Sequence, residues 1–253
     1  MSYHVHLCKQ LQKKEIAPGI VEVLIQNKAL AEQAKPGQFL HVKCGDTTSM
    51  PLRRPISICD AEGDTLRFIF EVKGRGTESL KALEGDLDIL GPLGNGFAVD
   101  NATYKKAAVI GGGIGVYPLY YLTKKLENAH VYMGFRNAGL VTLREDFEKA
   151  AASLKIATDD GSYGHHGFAL DLLKQDAATE KFDVIYACGP KGMFRAVKAF
   201  AEEAGIPCQV SMEERMGCGI GACLTCTCKT PGDGGNVRVC RNGPVFWAEE
   251  VEI

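Results

Sequence analysis

Five of the ten cysteines in this chain fall within 23 positions, from Cys218 to Cys240. Cys218-x4-Cys223-x2-Cys226 with Cys240 further on has the plant-type ligand spacing of a [2Fe-2S] cluster, in which four thiolates hold two irons. Gly217, Gly219, Gly221 and Ala222 suit that chemistry, because small residues let the backbone wrap closely and aim N–H groups at sulfur. A structural zinc site also takes four thiolates, usually from two short Cys-x2-Cys knuckles. This segment has one short pair plus a Cys-x4-Cys step. Cys228 is surplus to either ligand set and reads as a small buried hydrophobe. Such clustering points to metal ligation in a reducing compartment rather than to a disulfide framework.

The elements that must carry this loop come before it. The chain has 253 residues, enough for two substantial domains and a small third. Lys and Arg (29) nearly balance Asp and Glu (31), giving a net charge of -2 and no field suited to nucleic acid or an anionic membrane surface. The first residues lack the apolar core of a signal peptide, and no apolar run reaches the roughly 18 residues of a membrane span. A soluble, cytoplasmic protein is expected. The spacing predicts an antiparallel β barrel over 1–101, a doubly wound parallel nucleotide domain over 102–212, and a cluster domain over 213–253.

In the first hundred residues short strands alternate with turn signals: 20–26, 39–44, 56–59, 66–73 and 86–90. Leu66, Phe68, Phe70 and Val72 alternate with Arg67, Glu71 and Lys73, so one face is buried and the other wet, with Ile69 off the pattern. On this barrel Arg53-Arg54-Pro55-Ile56-Ser57 brings guanidinium forks that suit phosphate to the head of a strand. Gly74-Arg75-Gly76-Thr77 leads into a short helix expected over 78–83, where free N–H groups attract an anion. The plainer alternative for the second stretch is a turn with Thr77 as N-cap.

Together, the two stretches resemble the flavin-binding barrel of the ferredoxin reductase superfamily. The resemblance implies FAD, with Arg54, Pro55, Ile56 and Ser57 along the flavin and ribityl chain, and Gly74, Gly76 and Thr77 near the pyrophosphate and ring. Gly91-Pro-Leu-Gly-Asn-Gly-Phe97 resembles the turn that ends that barrel.

From Lys106 onward five expected strands (107–110, 130–135, 154–159, 183–187, 208–212) alternate with helices near 116–126, 144–152, 168–175 and 192–204, the sign of a parallel sheet. Ligands of such sheets bind at the carboxyl ends of the strands. Those ends carry Gly111-Gly-Gly113-Ile-Gly115-Val-Tyr-Pro118, Asp159-Asp-Gly-Ser-Tyr-Gly164 and Cys188-Gly189-Pro190. In the same superfamily a Gly-x-Gly-x-Gly-x-x-Pro loop and a Cys-Gly-Pro turn cradle the nicotinamide nucleotide. Gly111, Gly113, Gly115, Cys188, Gly189 and Pro190 are therefore implied to line an NAD site. Taken alone, Cys188 reads as packing, and His165 and His166 as solvated loop residues. The second strand ends in Arg136, without the acid that usually accepts the ribose 2′-hydroxyl of NAD, so the residues leave NAD and NADP both open.

The fifth strand runs directly into the cysteine loop, which puts the expected cluster at the nucleotide-binding edge. No constellation for a carbon substrate is legible: no Ser/His/Asp set, no paired carboxylates, no further domain. Electrons must then pass to or from another protein. The whole layout, with the tail Val239-Cys-Arg-Asn-Gly-Pro-Val-Phe246, is similar to the electron-transfer subunits of class 1B dihydroorotate dehydrogenases. That similarity implies Cys218, Cys223, Cys226 and Cys240 as cluster ligands. It also implies a heterotetramer, two of each chain, with an FMN-containing catalytic subunit, in which electrons from dihydroorotate reach NAD+ through cluster and FAD in pyrimidine biosynthesis. The alternatives are an NAD(P)H:ferredoxin or sulfide-type reductase subunit, and a zinc-stabilised regulatory module.

Overall fold

The fold was obtained as a computed structural model, which describes residues 3–46, 48, 50–232 and 234–253. The chain forms two compact units, residues 1–96 with 212–245 and residues 97–211 with 246–253. The barrel-plus-parallel-sheet architecture expected from the sequence is the one the chain adopts.

In the first unit β1 (Val5–Ala17), β2 (Ile20–Gln26), β3 (Phe39–Val42), β4 (Arg54–Glu62), β5 (Thr65–Glu71) and β6 (Leu87–Leu93) close into a barrel in the order β1-β2-β5-β4-β3-β6, with antiparallel pairing throughout. Two helices, α1 (Lys28–Gln33) and α2 (Arg75–Ala82), lie between strands. Leu66 and Phe68 of β5 are fully buried, each contributing about 1.5–3 kcal/mol of apolar transfer free energy. The expected wet face of β5 is not wholly wet. Ile69 is buried too, beside Glu22 across the β2 ladder, which itself bonds Lys14 at 2.9 Å and Arg67 at 3.4 Å.

β1 is the element the sequence pattern does not announce. It runs for 13 residues, mostly polar, with bulges between Gln10 and Gln12 and between Glu15 and Ala17 that break its alternation.

The second unit is built on β7 (Ala107–Gly112), α3 (Tyr117–Thr123), β8 (Ala129–Phe135), α4 (Arg144–Ala150), β9 (Ser153–Thr158), β10 (His165–His166), α5 (Ala169–Ala177), β11 (Val184–Cys188), α6 (Lys191–Ala204) and β12 (Cys208–Ser211). The sheet order is β10-β9-β8-β7-β11-β12-β15, where β15 is Val245–Trp247. The five expected strands are its centre, and short edge strands extend it to seven. One of these edges is a correction: His165 and His166 sit not in a loop but in β10, parallel to Ala157 and Thr158 of β9. β7 and β11 are neighbours whose chains leave in opposite directions, so the topological switch point lies between their carboxyl ends.

The cysteine segment adds a hairpin, β13 (Thr227–Lys229) with β14 (Asn236–Arg238), and a single-turn helix, α7 (Val239–Asn242). Among the described residues no helix is long and apolar enough to cross a membrane.

Candidate functional site

Within the first unit the cysteine loop folds so that its own backbone serves its sulfurs. Cys218 Sγ accepts from the N–H groups of Ile220 (3.5 Å), Ala222 (3.2 Å) and Cys223 (3.4 Å). Cys218 N donates in return to Cys223 Sγ at 3.4 Å, and the Thr225 hydroxyl donates to the same sulfur at 3.2 Å. Farther along, Cys240 N donates to Cys226 Sγ at 3.4 Å, and Val239 N to Cys226 O at 2.9 Å. The sulfurs therefore group in twos, Cys218 with Cys223 and Cys226 with Cys240. No group of three His, Cys, Asp or Glu side chains gathers around a single point among the described residues.

The two pairs differ in environment. Hydrogen bonds, led by the Thr225 hydroxyl, pull the exposed Cys223 thiol down to about 6, whereas burial and the neighbouring Cys226 push Cys240 up to about 12. Thiolate is the ligating form, and N–H donors spread over two sulfur pairs fit the demands of a two-iron cluster. Cys228 is buried on β13 opposite Val237.

The tail of this segment meets the end of the barrel. Asn95 donates from its backbone to Gly243 O at 2.6 Å and from its side chain to Asn242 O at 2.8 Å. Two motifs that stand about 150 residues apart in the sequence are thus one contact, joining the Gly91–Phe97 turn to the Cys240–Phe246 tail.

On the barrel, Arg54 and Gly76 are brought together. A Cβ on Gly76 would lie 2.3 Å from Arg54 Nε, so the guanidinium is laid across the first turn of α2 where only glycine leaves room. Gly74 is the N-cap of α2, with open space above it. Thr77 is therefore not the N-cap. It stands at N3, where its hydroxyl oxygen accepts from Lys73 N (2.9 Å) and Gly74 N (3.2 Å), fastening the turn. Cation, glycine turn and helix start together make a cradle that fits a pyrophosphate. Ile56 is buried opposite Leu40, and half-buried Ser57 is opposite Phe39. Arg53, the other half of the basic pair, is spent on structure: its guanidinium holds Asp88 Oδ1 at 2.8 Å and Asp88 O at 2.9 Å.

In the second unit the two remaining glycine motifs converge at the switch point. A Cβ on Gly115 would lie 2.4 Å from Cys188 O and 2.7 Å from Gly189 Cα, so the Gly111–Val116 loop rests directly on the Cys188–Gly189 peptide. Gly112 lies against Pro190 and Met193, while Gly113, at φ +55, faces open space. Cys188 Sγ is 3.9 Å from Ser211 O. Arg136 is exposed at the end of β8, its carbonyl accepting from Asp160 N at 3.3 Å.

Residues 213–252 match the family model of the iron-sulfur cluster binding domain of dihydroorotate dehydrogenase B. Across nearly its full length the chain is 40% identical, over 247 residues, to the dihydroorotate dehydrogenase B (NAD(+)) electron transfer subunit of Clostridium acetobutylicum, covering 96% of this chain and 95% of the relative. The corresponding subunit of Listeria innocua is 43% identical over 255 residues, covering 97% and 98%. The chain belongs to the family of dihydroorotate dehydrogenase B electron transfer subunits. Members of this family are named as parts that work with another subunit, in line with the electron-transfer role expected from the sequence.

Among solved structures, the NADH-dependent reduced ferredoxin-NADP oxidoreductase, described for flavin-based electron bifurcation, superposes with a TM-score of 0.87 at 28% identity, covering 98% of this chain and 90% of that one. A ferredoxin NADP+ reductase from Neisseria gonorrhoeae with bound FAD and NADP shares the fold at a TM-score of 0.66 and 16% identity, covering 81% and 92%.

One residue of the family's barrel escapes any motif. His41, on β3, is 1% exposed and faces the cluster loop at Gly219. Burial, with Arg53 beside it, pushes its pKa down to about 4 and holds the ring neutral. A lone histidine in a short apolar strand gives the sequence reader no signal.

Proposed function

We propose that this chain is the electron-transfer subunit of an NAD+-linked dihydroorotate dehydrogenase in pyrimidine biosynthesis. It carries electrons from an FMN-containing catalytic subunit through a [2Fe-2S] cluster and FAD to NAD+, in a cytoplasmic heterotetramer of two copies of each chain. When bound, flavin and cluster supply the conversion between two-electron hydride transfer and one-electron transfer. The chain's part is to bind, orient and space them. Cys218, Cys223, Cys226 and Cys240 hold the cluster. Arg54, Gly74, Gly76 and Thr77 hold the flavin pyrophosphate, with Pro55, Ile56 and Ser57 along the ring. Gly111, Gly113, Gly115, Cys188, Gly189 and Pro190 receive the nicotinamide nucleotide. The assignment of function to three modules follows the boundaries 1–101, 102–212 and 213–253.

The observation that carries the reading is the pairing of the four sulfurs, with three backbone N–H groups on Cys218 Sγ, inside the segment matched to the iron-sulfur family model. The test is anaerobic purification followed by NADH. Flavin and cluster absorbance that NADH bleaches is the expected result, and a colourless protein would end the reading. Addition of the FMN subunit should then give dihydroorotate-dependent reduction of NAD+.

A second reading, an NAD(P)H:ferredoxin-type or sulfide-type reductase subunit, draws on the likeness to the bifurcating oxidoreductase. It gains if a verified complex with the FMN subunit fails to oxidise dihydroorotate while NAD(P)H still reduces ferredoxin or polysulfide.

A further inference from the structure

His41 is 1% exposed, and among the described residues neither ring nitrogen has a hydrogen-bond partner of good geometry, though the backbone of Arg53 and of Cys218 comes close to the ring. A buried polar group left in that state costs about 1–3 kcal/mol, so its persistence calls for a reason. Its surroundings supply one. Gly219 lies flat against the ring: a Cβ there would come 2.7 Å from Nδ1 and 3.2 Å from Cε1, and the backbone turns at φ +72. Gly219 follows Cys218, whose sulfur collects the three backbone N–H groups.

The same histidine is paired with Pro55 across the β3–β4 ladder, and directly opposite residues project to one face. Pro55 belongs to the stretch proposed to lie along the flavin. The ring is also held in place from its own backbone. His41 O accepts from Arg53 Nη1 at 3.3 Å, and Arg53 is clamped on Asp88. A polar edge fixed by the barrel rather than by the loop therefore lies between the flavin strand and the first cluster ligand.

We propose that His41 is a positioning residue that sets the Cys218–Gly219 turn against β3 and, through an N–H on the loop side, raises the reduction potential of the cluster bound there. This rests on the electron-transfer reading above. The physical reason is that a donor dipole beside a centre that gains negative charge favours its reduced form.

The test uses the full chain, purified anaerobically, as wild type, His41→Leu and His41→Asn. Leucine fills the space without a polar edge, and asparagine returns an N–H near the position of Nδ1. Iron, sulfide and flavin contents are measured first, and a redox titration followed by electron paramagnetic resonance then reads the potential and the g-values. The expected result is a more negative potential and an altered signal in His41→Leu, with His41→Asn returning both toward wild type. Equal potentials and spectra in all three proteins would overturn the proposal while leaving the electron-transfer reading intact. Absence of iron and flavin from the wild type would instead remove that reading, and the proposal with it. Should His41→Leu fail to take up iron, His41→Asn decides: a wild-type potential supports the proposal, and an equal loss of iron overturns it, leaving the residue a purely structural one.

Discussion

The Cys218–Cys223 loop of the first unit and the Gly111–Val116 loop of the second are both glycine turns pressed against a neighbouring segment, but they offer different atoms to a ligand. In the first, backbone N–H groups point inward at the loop's own sulfurs, and the side chains are the proposed ligands. In the second there is almost no side chain to ligate with. Gly115 rests on the Cys188–Gly189 peptide, Gly113 faces open space, and the backbone itself is the proposed binding surface. A side-chain site fails when one atom type is changed. A backbone site fails when one atom too many is added.

The sharpest way to break that contrast is Cys226→Ser. Cys226 is buried, and a serine oxygen there sits on a shorter bond and is a harder, poorer donor to iron than a thiolate. Complete loss of iron and of cluster absorbance is expected, with NADH still reducing bound FAD. If flavin reduction by NADH is lost as well in a folded protein, the order of carriers proposed here is wrong.

Gly115→Ala is the mirror experiment. The added methyl would sit 2.4 Å from Cys188 O, a backbone atom that moves only with its strand. Misplacing the loop by a fraction of an ångström to an ångström should raise the KM for NADH by about tenfold to a hundredfold. Iron content and flavin absorbance should stay at wild-type values. A cluster lost through this change would mean that the two sites do not fail independently.

The contrast also explains what could be read from the sequence. Cysteine spacing points to an iron-sulfur cluster ahead of zinc, and Leu66 and Phe68 advertise a strand by alternation. The central five strands of the sheet follow from a pattern of the same kind, whereas the closeness of Arg54 to Gly76 is implied only by the resemblance to a flavin-binding barrel. Contacts made by backbone or by single unpatterned residues do not. β1 is polar and twice bulged, so it lacks a period. β10 is two residues long and is held as a strand only by β9. The lock between Asn95 and Gly243 joins distant loops through carbonyls, which no side-chain pattern encodes. Thr77 fits an N-cap by type, yet the chain enters α2 three residues earlier, because Gly74 accommodates the turn.

Cys223→Ser should fall between the extremes. Cys223 is exposed, and its sulfur takes hydrogen bonds from Cys218 N and the Thr225 hydroxyl, donors that serve an oxygen equally well. A cluster of altered visible spectrum and reduced occupancy is expected, in contrast to the empty Cys226→Ser protein. Equal and complete loss in both variants would show that exposure does not grade the ligand set.

The smallest effect concerns two leucines held in the left-handed region, one in each unit. Leu224 has φ 60 and is 60% exposed, between the proposed ligands Cys223 and Cys226. Leu143 has φ 55 and is half-buried at the N-cap of α4. That conformation costs a residue with a Cβ roughly 1–2 kcal/mol, and glycine removes the strain at the expense of about 0.5–1 kcal/mol in unfolded-chain entropy. Leu224 gives up little packing, so Leu224→Gly should stabilise the chain by up to about 1 kcal/mol, a rise of roughly 2–4 °C in Tm for a chain of this size. Leu143→Gly loses half-buried apolar surface, which offsets the relief, and should leave Tm unchanged or lower. Thermal melts of the two variants side by side decide the point. A lower Tm for Leu224→Gly would show that the leucine side chain packs to more effect than its exposure suggests, and that the cluster loop draws stability from a residue that ligates nothing.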